Sequence, residues 1–102
     1  MPTMMLQYKA AESGVSEVLS AVEAAFAALD ARKPKGLVRF SYYRKPGTAE
    51  FVGLLELEAG VENPLFGIEA ARALQATVSR VAVGAAPMPV PLELVAMHDP
   101  RR

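Results

Sequence analysis

The stretch from Gly36 to Glu58 constrains the fold more than any other part of the chain, because it predicts a β-hairpin. Two runs rich in aromatic, leucine and β-branched residues flank the sequence Lys-Pro-Gly-Thr at 45–48. Proline presets φ and glycine accepts a positive φ, so Pro46 and Gly47 suit the two central positions of a type II turn. The cross-strand pairs that this turn predicts are Tyr42 with Phe51, Phe40 with Gly53, and Val38 with Leu55.

Both faces of the predicted hairpin are too apolar to be left in water. The aromatic face consists of Val38, Phe40, Tyr42, Phe51, Gly53 and Leu55. The opposite face is mixed and consists of Leu37, Arg39, Ser41, Tyr43, Glu50, Val52, Leu54 and Glu56. Because residues alternate between faces, a shift of the pairing by one residue would exchange the two sets. The hairpin is therefore expected to be covered on both sides.

Two further strands are predicted from alternation of apolar and polar residues. They are Met4–Ala10, near the start, and Leu92–His98, near the end. Between the second helix described below and the last strand, proline recurs at alternate positions over 87–91. This spacing predicts an extended, stiff connector rather than a flexible linker.

Two helices are predicted from apolar residues that recur at steps of three and four. Ser13 is the expected N-cap of the first helix, which runs to about Arg32. Asn63 followed by Pro64 marks the start of the second helix, and Gly84 is its expected stop. The second stripe consists of Ile68, Ala71, Leu74, Val78 and Val81.

The predicted element order is β-α-β-β-α-β, with two similar halves of about 50 residues each. This order is typical of the ferredoxin-like α+β fold, in which right-handed crossovers place both helices on one face of a four-stranded antiparallel sheet. The expected strand order is 4-1-3-2. The length of 102 residues and the lack of an internal linker predict a single domain over residues 1–102.

Composition excludes several classes of function. Eleven basic and eleven acidic residues cancel, so the chain lacks the charge of a nucleic-acid-binding protein. Without cysteine, disulfides, zinc–thiolate sites and cysteine nucleophiles are impossible. No motif implies a metal or a cofactor. The sequence has no long uncharged apolar run and no signal-peptide pattern, so we expect a cytoplasmic protein that does not enter the membrane.

The mixed face of the sheet suggests a second copy of the chain as its partner. This face is about half apolar, and it combines Lys9 and Arg39 with Glu56 and Glu93. Two such faces packed together would exclude water from the apolar residues and pair the opposite charges. The residues expected at this homodimer interface are Arg39, Val52, Leu54, Glu56 and Val95. The alternative is a monomer with an open amphipathic face.

The aromatic face is a candidate ligand site. A pocket for a small apolar or aromatic molecule between the sheet and its helices would be lined by Tyr8, Phe40, Tyr42, Phe51, Gly53 and Phe66. The alternative is that these residues simply fill the core. A cavity of about 300 Å³ or more beside Tyr42 and Gly53 would favour the ligand site.

Tyr42 and His98 are the two candidate catalytic residues. Tyr42 lies on the predicted pocket face, and His98 is the single histidine of the chain. The alternative for His98 is a surface residue at the end of the last strand. Arg72, Gln75 and Ser79 share one flank of the second helix and would reach the pocket mouth, or else face solvent.

Several short motifs carry a resemblance to a known family. They are Pro34-Lys-Gly36-Leu37, Phe51-Val52, Asn63-Pro64-Leu65, Ala73-Leu74-Gln75 and Glu93-Leu-Val. With these motifs the chain resembles small bacterial proteins of the dimeric α+β barrel superfamily, near the antibiotic biosynthesis monooxygenase (ABM)-like group, many members of which are uncharacterised. The resemblance spans nearly the whole chain.

The resemblance implies a ferredoxin-like protomer whose sheet packs on a partner's sheet, often with a pocket under the helices. Activities in that group include cofactor-independent oxygenation of polycyclic phenols, haem breakdown and isomerisation. Haem-degrading members use a pocket Asn, Trp and His, and this chain has no Trp. Two hypotheses follow: a protein that binds or oxidises a small aromatic molecule, and a structural or regulatory homodimerisation module without a site.

Overall fold

The chain folds into a four-stranded antiparallel sheet with two helices packed on one face. A computed structural model describes residues 2–100. The elements in chain order are β1 (Thr3–Lys9), α1 (Val15–Arg32), β2 (Leu37–Arg44), β3 (Glu50–Leu57), α2 (Glu69–Val81) and β4 (Val90–Leu92). The strands lie in the order β2-β3-β1-β4. This arrangement confirms the predicted ferredoxin-like topology and strand order.

The hairpin between β2 and β3 forms around the predicted turn, but its strand pairing differs. The Thr48 N–H donates to the Lys45 carbonyl at 3.1 Å, and Gly47 has a φ of 74°. Thr48 and Ala49 then stay in the loop, so Tyr42 pairs with Gly53 and Phe40 with Leu55. The predicted pairs were therefore wrong by two residues. Because two is even, the residues of these pairs other than Val38 keep their predicted face.

A β-bulge near the start of β2 reverses two assignments. The pairing shifts between Leu37 and Arg39, which leaves Val38 as the extra residue. Val38 is 41% exposed, although the alternation predicted it under the helices. Leu37 instead packs against the buried group formed by Leu29, Ile68 and Ala71. The alternation alone could not reveal this, because an inserted residue changes the phase of the strand.

The core lies between β1, β3 and the two helices. Its buried residues include Tyr8, Val18, Ala25, Phe51, Leu74, Val78 and Val81. Phe51 is 1% exposed and is the largest of the fully buried side chains. Burial of one such side chain stabilises the fold by roughly 1.5–3 kcal/mol. All five residues of the predicted α2 stripe are buried.

α1 begins differently from the prediction and ends where it was expected. Residues Glu12–Gly14 form a short 3-10 turn ahead of it, and no side chain caps the helix, so the N-cap role predicted for Ser13 was wrong. Gly14 lies directly against Val81 at the end of α2, where a Cβ would be 2.7 Å from the Val81 Cβ. The helix ends at Arg32, and Lys33 adopts the left-handed conformation.

The predicted start of the second helix is a separate turn. The Asn63 Oδ1 accepts a hydrogen bond from the Leu65 N–H at 2.9 Å, which caps a 3-10 turn over Pro64–Gly67. Ile68 is extended, and α2 starts only at Glu69. The helix also ends before the predicted stop at Gly84, since Ala82 already bridges to Ala10 of the sheet.

The last strand is shorter and earlier than predicted. β4 pairs with Thr3–Met5, and residues 93–99 have no regular structure, so the predicted strand Leu92–His98 was wrong. The connector over 84–89 follows the Ala10–Ala82 bridge and loops away from β1 until Val90. As a result, Val95, predicted on the dimer face of this strand, lies outside the sheet. Within residues 2–100, no helix combines the length and apolar character needed to cross a membrane.

Candidate functional site

A cavity of about 150 Å³ lies between the sheet and α2, beside Tyr42 and Gly53. Its walls come from β1, β2, β3, the 3-10 turn, α2 and the proline connector. The residues that line it are mostly apolar: Met4, Met5, Leu6, Phe40, Tyr42, Gly53, Leu55, Asn63, Leu65, Phe66, Ala71, Leu74, Gln75, Val78, Ser79, Pro87 and Pro89. The cavity is therefore a site for an apolar group with few polar contacts.

Two local features of the chain shape this cavity. β4 pairs only with Thr3–Met5 of β1, and the connector over 84–89 loops away from the strand. Pro87 and Pro89 of this connector line the cavity in place of a paired strand. Gly53 has no side chain, and the Tyr42 ring lies across it, with Cε1 3.1 Å from where a Cβ would stand. The space beside Gly53 is thus partly taken by Tyr42.

The hydroxyls of Tyr8 and Tyr42 form a hydrogen-bonded polar pair next to the cavity. The Tyr8 and Tyr42 hydroxyl oxygens are 2.6 Å apart and share one hydrogen bond. Burial raises the pKa of Tyr8 well above its usual range, and the bond to Tyr42 raises it further. Burial also raises the pKa of Tyr42, although the bond to Tyr8 acts in the opposite direction. Both groups are therefore neutral at physiological pH, and one hydroxyl hydrogen is left to donate.

Stacked rings hold this pair in place. Tyr8 stacks on Phe51 with ring centroids 5.5 Å apart, and Phe26 stacks on Phe40 at 5.0 Å. The Tyr42 ring meets Phe40 edge-on at 6.0 Å. Such pairs contribute about 0.5–1.5 kcal/mol beyond the area that they bury. Packing of these rings therefore holds the two hydroxyl groups in place.

The structure brings together four of the six residues predicted to line a pocket. Phe40, Tyr42, Gly53 and Phe66 line the cavity. Tyr8 and Phe51 belong to the buried core behind it, and only the hydroxyl of Tyr8 links it to the site through Tyr42.

Only two of the three residues that were predicted on the α2 flank at the pocket mouth line the cavity. Gln75 and Ser79 line the cavity, whereas the Arg72 guanidinium donates to the Phe66 carbonyl at 3.0 Å. Pro87 and Pro89 were not predicted as wall residues, because their role depends on where the connector leaves β1.

His98 lies outside the cavity. It is exposed, and it belongs to the segment after β4 that has no regular structure. The residues that line the cavity do not include it. Among residues 2–100, no group of three or more histidine and acidic side chains could hold a metal ion.

The cavity is about half of the 300 Å³ that we set as the mark of a ligand site. An apolar cavity of roughly 150 Å³ can hold benzene. The space therefore fits one ring and excludes a polycyclic molecule unless the walls move.

Comparison with solved structures identifies the fold. A structure named antibiotic biosynthesis monooxygenase superimposes with a TM-score of 0.71 at 13% identity, and covers 94% of this chain and 100% of that chain. Rv0793 from Mycobacterium tuberculosis gives 0.72 at 12% identity, with coverage of 96% and 98%. The fold is that of the antibiotic biosynthesis monooxygenases.

The ABM fold is not tied to one activity. An L-rhamnose mutarotase from Formosa agariphila matches with a TM-score of 0.57 at 14% identity, and covers 95% of this chain and 98% of that chain. No protein-family model matches the sequence, and no curated protein is similar to it. At these identities the comparison establishes the fold and not the reaction.

Proposed function

We propose that this ABM-fold protein binds a small, neutral, single-ring molecule in the cavity between the sheet and α2. The observation that carries the proposal is the tyrosine hydroxyl pair beside a mostly apolar space that is large enough for one ring. An apolar cavity with few oriented polar groups is typical of small-molecule sites.

The chemistry of the pair narrows the ligand class. Because the pKa values of Tyr8 and Tyr42 are both raised, the pair presents a neutral hydroxyl hydrogen rather than a phenolate. A ligand with one carbonyl or hydroxyl oxygen would accept that hydrogen while its ring fills the apolar part. Anionic ligands are disfavoured, since within residues 2–100 no positively charged side chain lines the cavity.

Substitution of Tyr42 tests this selectivity. Affinities of toluene, benzaldehyde and p-cresol would be measured by calorimetry or NMR titration for wild type and Tyr42→Phe. We expect benzaldehyde and p-cresol to bind about 2–10-fold more weakly to the variant, because one hydrogen bond is lost, with little change for toluene. Tyr43→Phe, on the exposed opposite face, is the matched control. Equal losses for toluene and benzaldehyde would contradict the proposed role of the hydroxyl.

Filling the cavity tests whether it is the site at all. Ala71 is buried and lines the cavity, whereas Ala76 is exposed on the same helix. Ala71→Leu should abolish binding of all three ligands, and Ala76→Leu should leave it unchanged. Far-ultraviolet circular dichroism would verify that both variants are folded. Unchanged binding by Ala71→Leu would place the ligand elsewhere.

Oxidation of the bound ring is the activity suggested by the similarity to a structure named antibiotic biosynthesis monooxygenase. In the simplest case a phenol and one dioxygen give a quinone and water, with dioxygen as the oxidant. Tyr42 would hold the phenol oxygen by a hydrogen bond. Because its pKa is raised, the hydroxyl stays protonated at neutral pH and is not available as a base. Oxygen uptake with p-cresol or catechol, abolished by Ala71→Leu, would support turnover. Binding without uptake would leave a ligand-binding protein.

A homodimerisation module without a ligand is the second candidate. Its support is the sheet face opposite the helices, where Val52 and Leu54 are half-buried and Arg39 pairs with Glu56 across the strands. Leu54→Arg should convert a dimer to a monomer in light scattering. Leu19→Arg, on an exposed position of α1, is the control and should not. A wild-type monomer at micromolar concentration would overturn this candidate.

A further inference from the structure

One wall of the cavity is a short turn rather than a strand or a long helix. Leu65 and Phe66 line the cavity, and both belong to the 3-10 turn over Pro64–Gly67. The turn lies just ahead of α2, which provides the neighbouring wall. The position of the turn relative to α2 therefore determines how much space the cavity has on this side.

The two halves of the turn are held by different contacts. Leu65 packs against a buried group of the core, and its N–H donates to the Asn63 Oδ1 at 2.9 Å. The Phe66 side chain is 57% exposed, and nothing lies within 4 Å of where a Cβ on Gly67 would stand. The second half of the turn is therefore fixed less by packing than the first.

Arg72 connects this second half to α2 from outside the cavity. Its guanidinium Nη1 donates a hydrogen bond to the Phe66 carbonyl oxygen at 3.0 Å. Arg72 is exposed, and the residues within 2–100 that line the cavity do not include it. A charged donor of this kind makes a stronger hydrogen bond than a neutral one. Arg72 therefore holds the main chain of the wall without meeting a bound ligand.

This hydrogen bond bears on the size of ligand that the cavity accepts. A cavity of about 150 Å³ holds one ring, so a molecule with two fused rings enters only if a wall moves outward. Movement of Phe66 away from α2 would break its bond to Arg72. The free energy of that bond would then add to the cost of binding the larger ligand, whereas a single ring would bind without this cost.

We propose that Arg72 is a positioning residue that sets the size selectivity of the cavity. By holding Phe66 close to α2, it favours one ring over two fused rings. The inference rests on the proposed function, because it requires that a ring binds in the cavity. The role of Arg72 is distinct from that of Tyr42, which selects for an oxygen atom on the ligand rather than for its size.

Substitution of Arg72 by methionine tests the selectivity. Arg72→Met removes the guanidinium but keeps a long unbranched side chain that is compatible with a helix. Dissociation constants of benzaldehyde and naphthaldehyde would be measured by NMR titration. We expect the preference for benzaldehyde to fall about 2–10-fold, the range for one hydrogen bond, through tighter binding of naphthaldehyde. An unchanged preference would mean that larger ligands enter past another wall, and would overturn the inference.

Arg80→Met is the matched control for the loss of one positive charge from α2. Arg80 is exposed on the same helix, and its guanidinium pairs with Glu17 of α1 rather than with the turn. This variant should keep the wild-type preference for benzaldehyde. An equal change in the two variants would overturn the inference, because the contact with Phe66 would then not be responsible.

Amide hydrogen exchange tests the contact without any ligand. The N–H groups of Leu65 and Ile68 are hydrogen-bonded in and next to the turn. Both should exchange several-fold faster in Arg72→Met and at wild-type rates in Arg80→Met. The buried N–H of Ala10, hydrogen-bonded at 2.8 Å, is the reference for the rest of the fold and should not change. Wild-type rates at both turn positions in Arg72→Met would overturn the inference.

Failure of this inference and failure of the proposed function give different results. If wild type does not bind benzaldehyde, the proposed function is overturned, and the size selectivity with it. If wild type binds benzaldehyde and Arg72→Met has the same preference between the two aldehydes, only the role of Arg72 is overturned.

Discussion

β2 and β4 occupy the two edges of one sheet, and the molecule treats them differently. β2 has eight residues, a hairpin turn to β3, and two aromatic side chains, Phe40 and Tyr42, directed under the helices. β4 has three exposed residues and reaches the sheet through a proline connector. In this sheet, the long edge strand is the one that contributes side chains to the core, and the short edge strand contributes none.

The same difference divides the chain into two regions. The buried clusters and the residues packed on them come from positions before 83, within the part of the chain that the structure describes. The connector contributes Pro87 and Pro89 to the cavity wall but none of these core residues. Stability is therefore expected to reside in the first region, and adaptation to a ligand or a partner in the second.

The largest expected effect comes from emptying the core. Phe51→Ala removes a fully buried ring that stacks on Tyr8, and should lower the free energy of unfolding by about 3–5 kcal/mol. Leu92→Ala in β4 should cost less than about 1 kcal/mol, because Leu92 is exposed. Urea denaturation followed by circular dichroism measures both. Similar losses would break the division into two regions.

Overpacking the contact between the helices is expected to cost less. Gly14→Ala would place a Cβ 2.7 Å from the Val81 Cβ, where both backbones are fixed, and should destabilise by about 1–3 kcal/mol. Gly67→Ala is the matched control, because nothing lies within 4 Å of its Cβ position. Thermal unfolding of the two variants side by side measures the difference. A neutral Gly14→Ala would mean that α1 and α2 can shift apart.

The cap at the cavity wall should have a smaller effect. Asn63→Ala removes the acceptor for the Leu65 N–H, and should cost about 0.5–2 kcal/mol. Asn63→Asp keeps an acceptor oxygen and should retain most of the stability. Urea denaturation of both variants tests the cap. If Asp is as damaging as Ala, the hydrogen bond is not what stabilises the turn.

Removal of the two tyrosine hydroxyls should change the stability least at neutral pH. The effect on stability should increase only at alkaline pH. Tyr8 and Tyr42 have raised pKa values in the folded state, whereas an unfolded tyrosine titrates near 10. Above about pH 10 the unfolded chain loses these protons first, so stability falls as pH rises. Urea midpoints between pH 7 and 11.5 should fall less steeply for Tyr8→Phe combined with Tyr42→Phe. An unchanged slope would contradict the prediction.

The sequence predicted the topology because each element carried its own local signal. Alternation marked β1 and the hairpin, and all five apolar positions predicted for the second helix are buried, although Ile68 precedes α2. The face of Phe40 and Tyr42 was also correct, because the loop added an even number of residues to the predicted pairing. Periodicity and turn chemistry act over a few residues, so they can be read from one chain.

The rest depended on contacts that no local pattern encodes. The bulge at Val38, the turn ahead of α2 and the early end of the last strand all arise from how elements meet. The cavity is of the same kind. The position of Tyr42 in the cavity could be predicted from the alternation of β2. The positions of Pro87 and Pro89 depend on the path of the connector around β1.

The Tyr42–Gly53 pair has a consequence for sequence variation. The ring of one residue occupies the volume that the side chain of the other would need. In homologous proteins that keep this hairpin pairing, we therefore expect positions 42 and 53 to vary together, with a side chain at 53 only where 42 is small. A chain in which the two residues are exchanged would preserve the total volume of the pair while moving its hydroxyl group to a different strand.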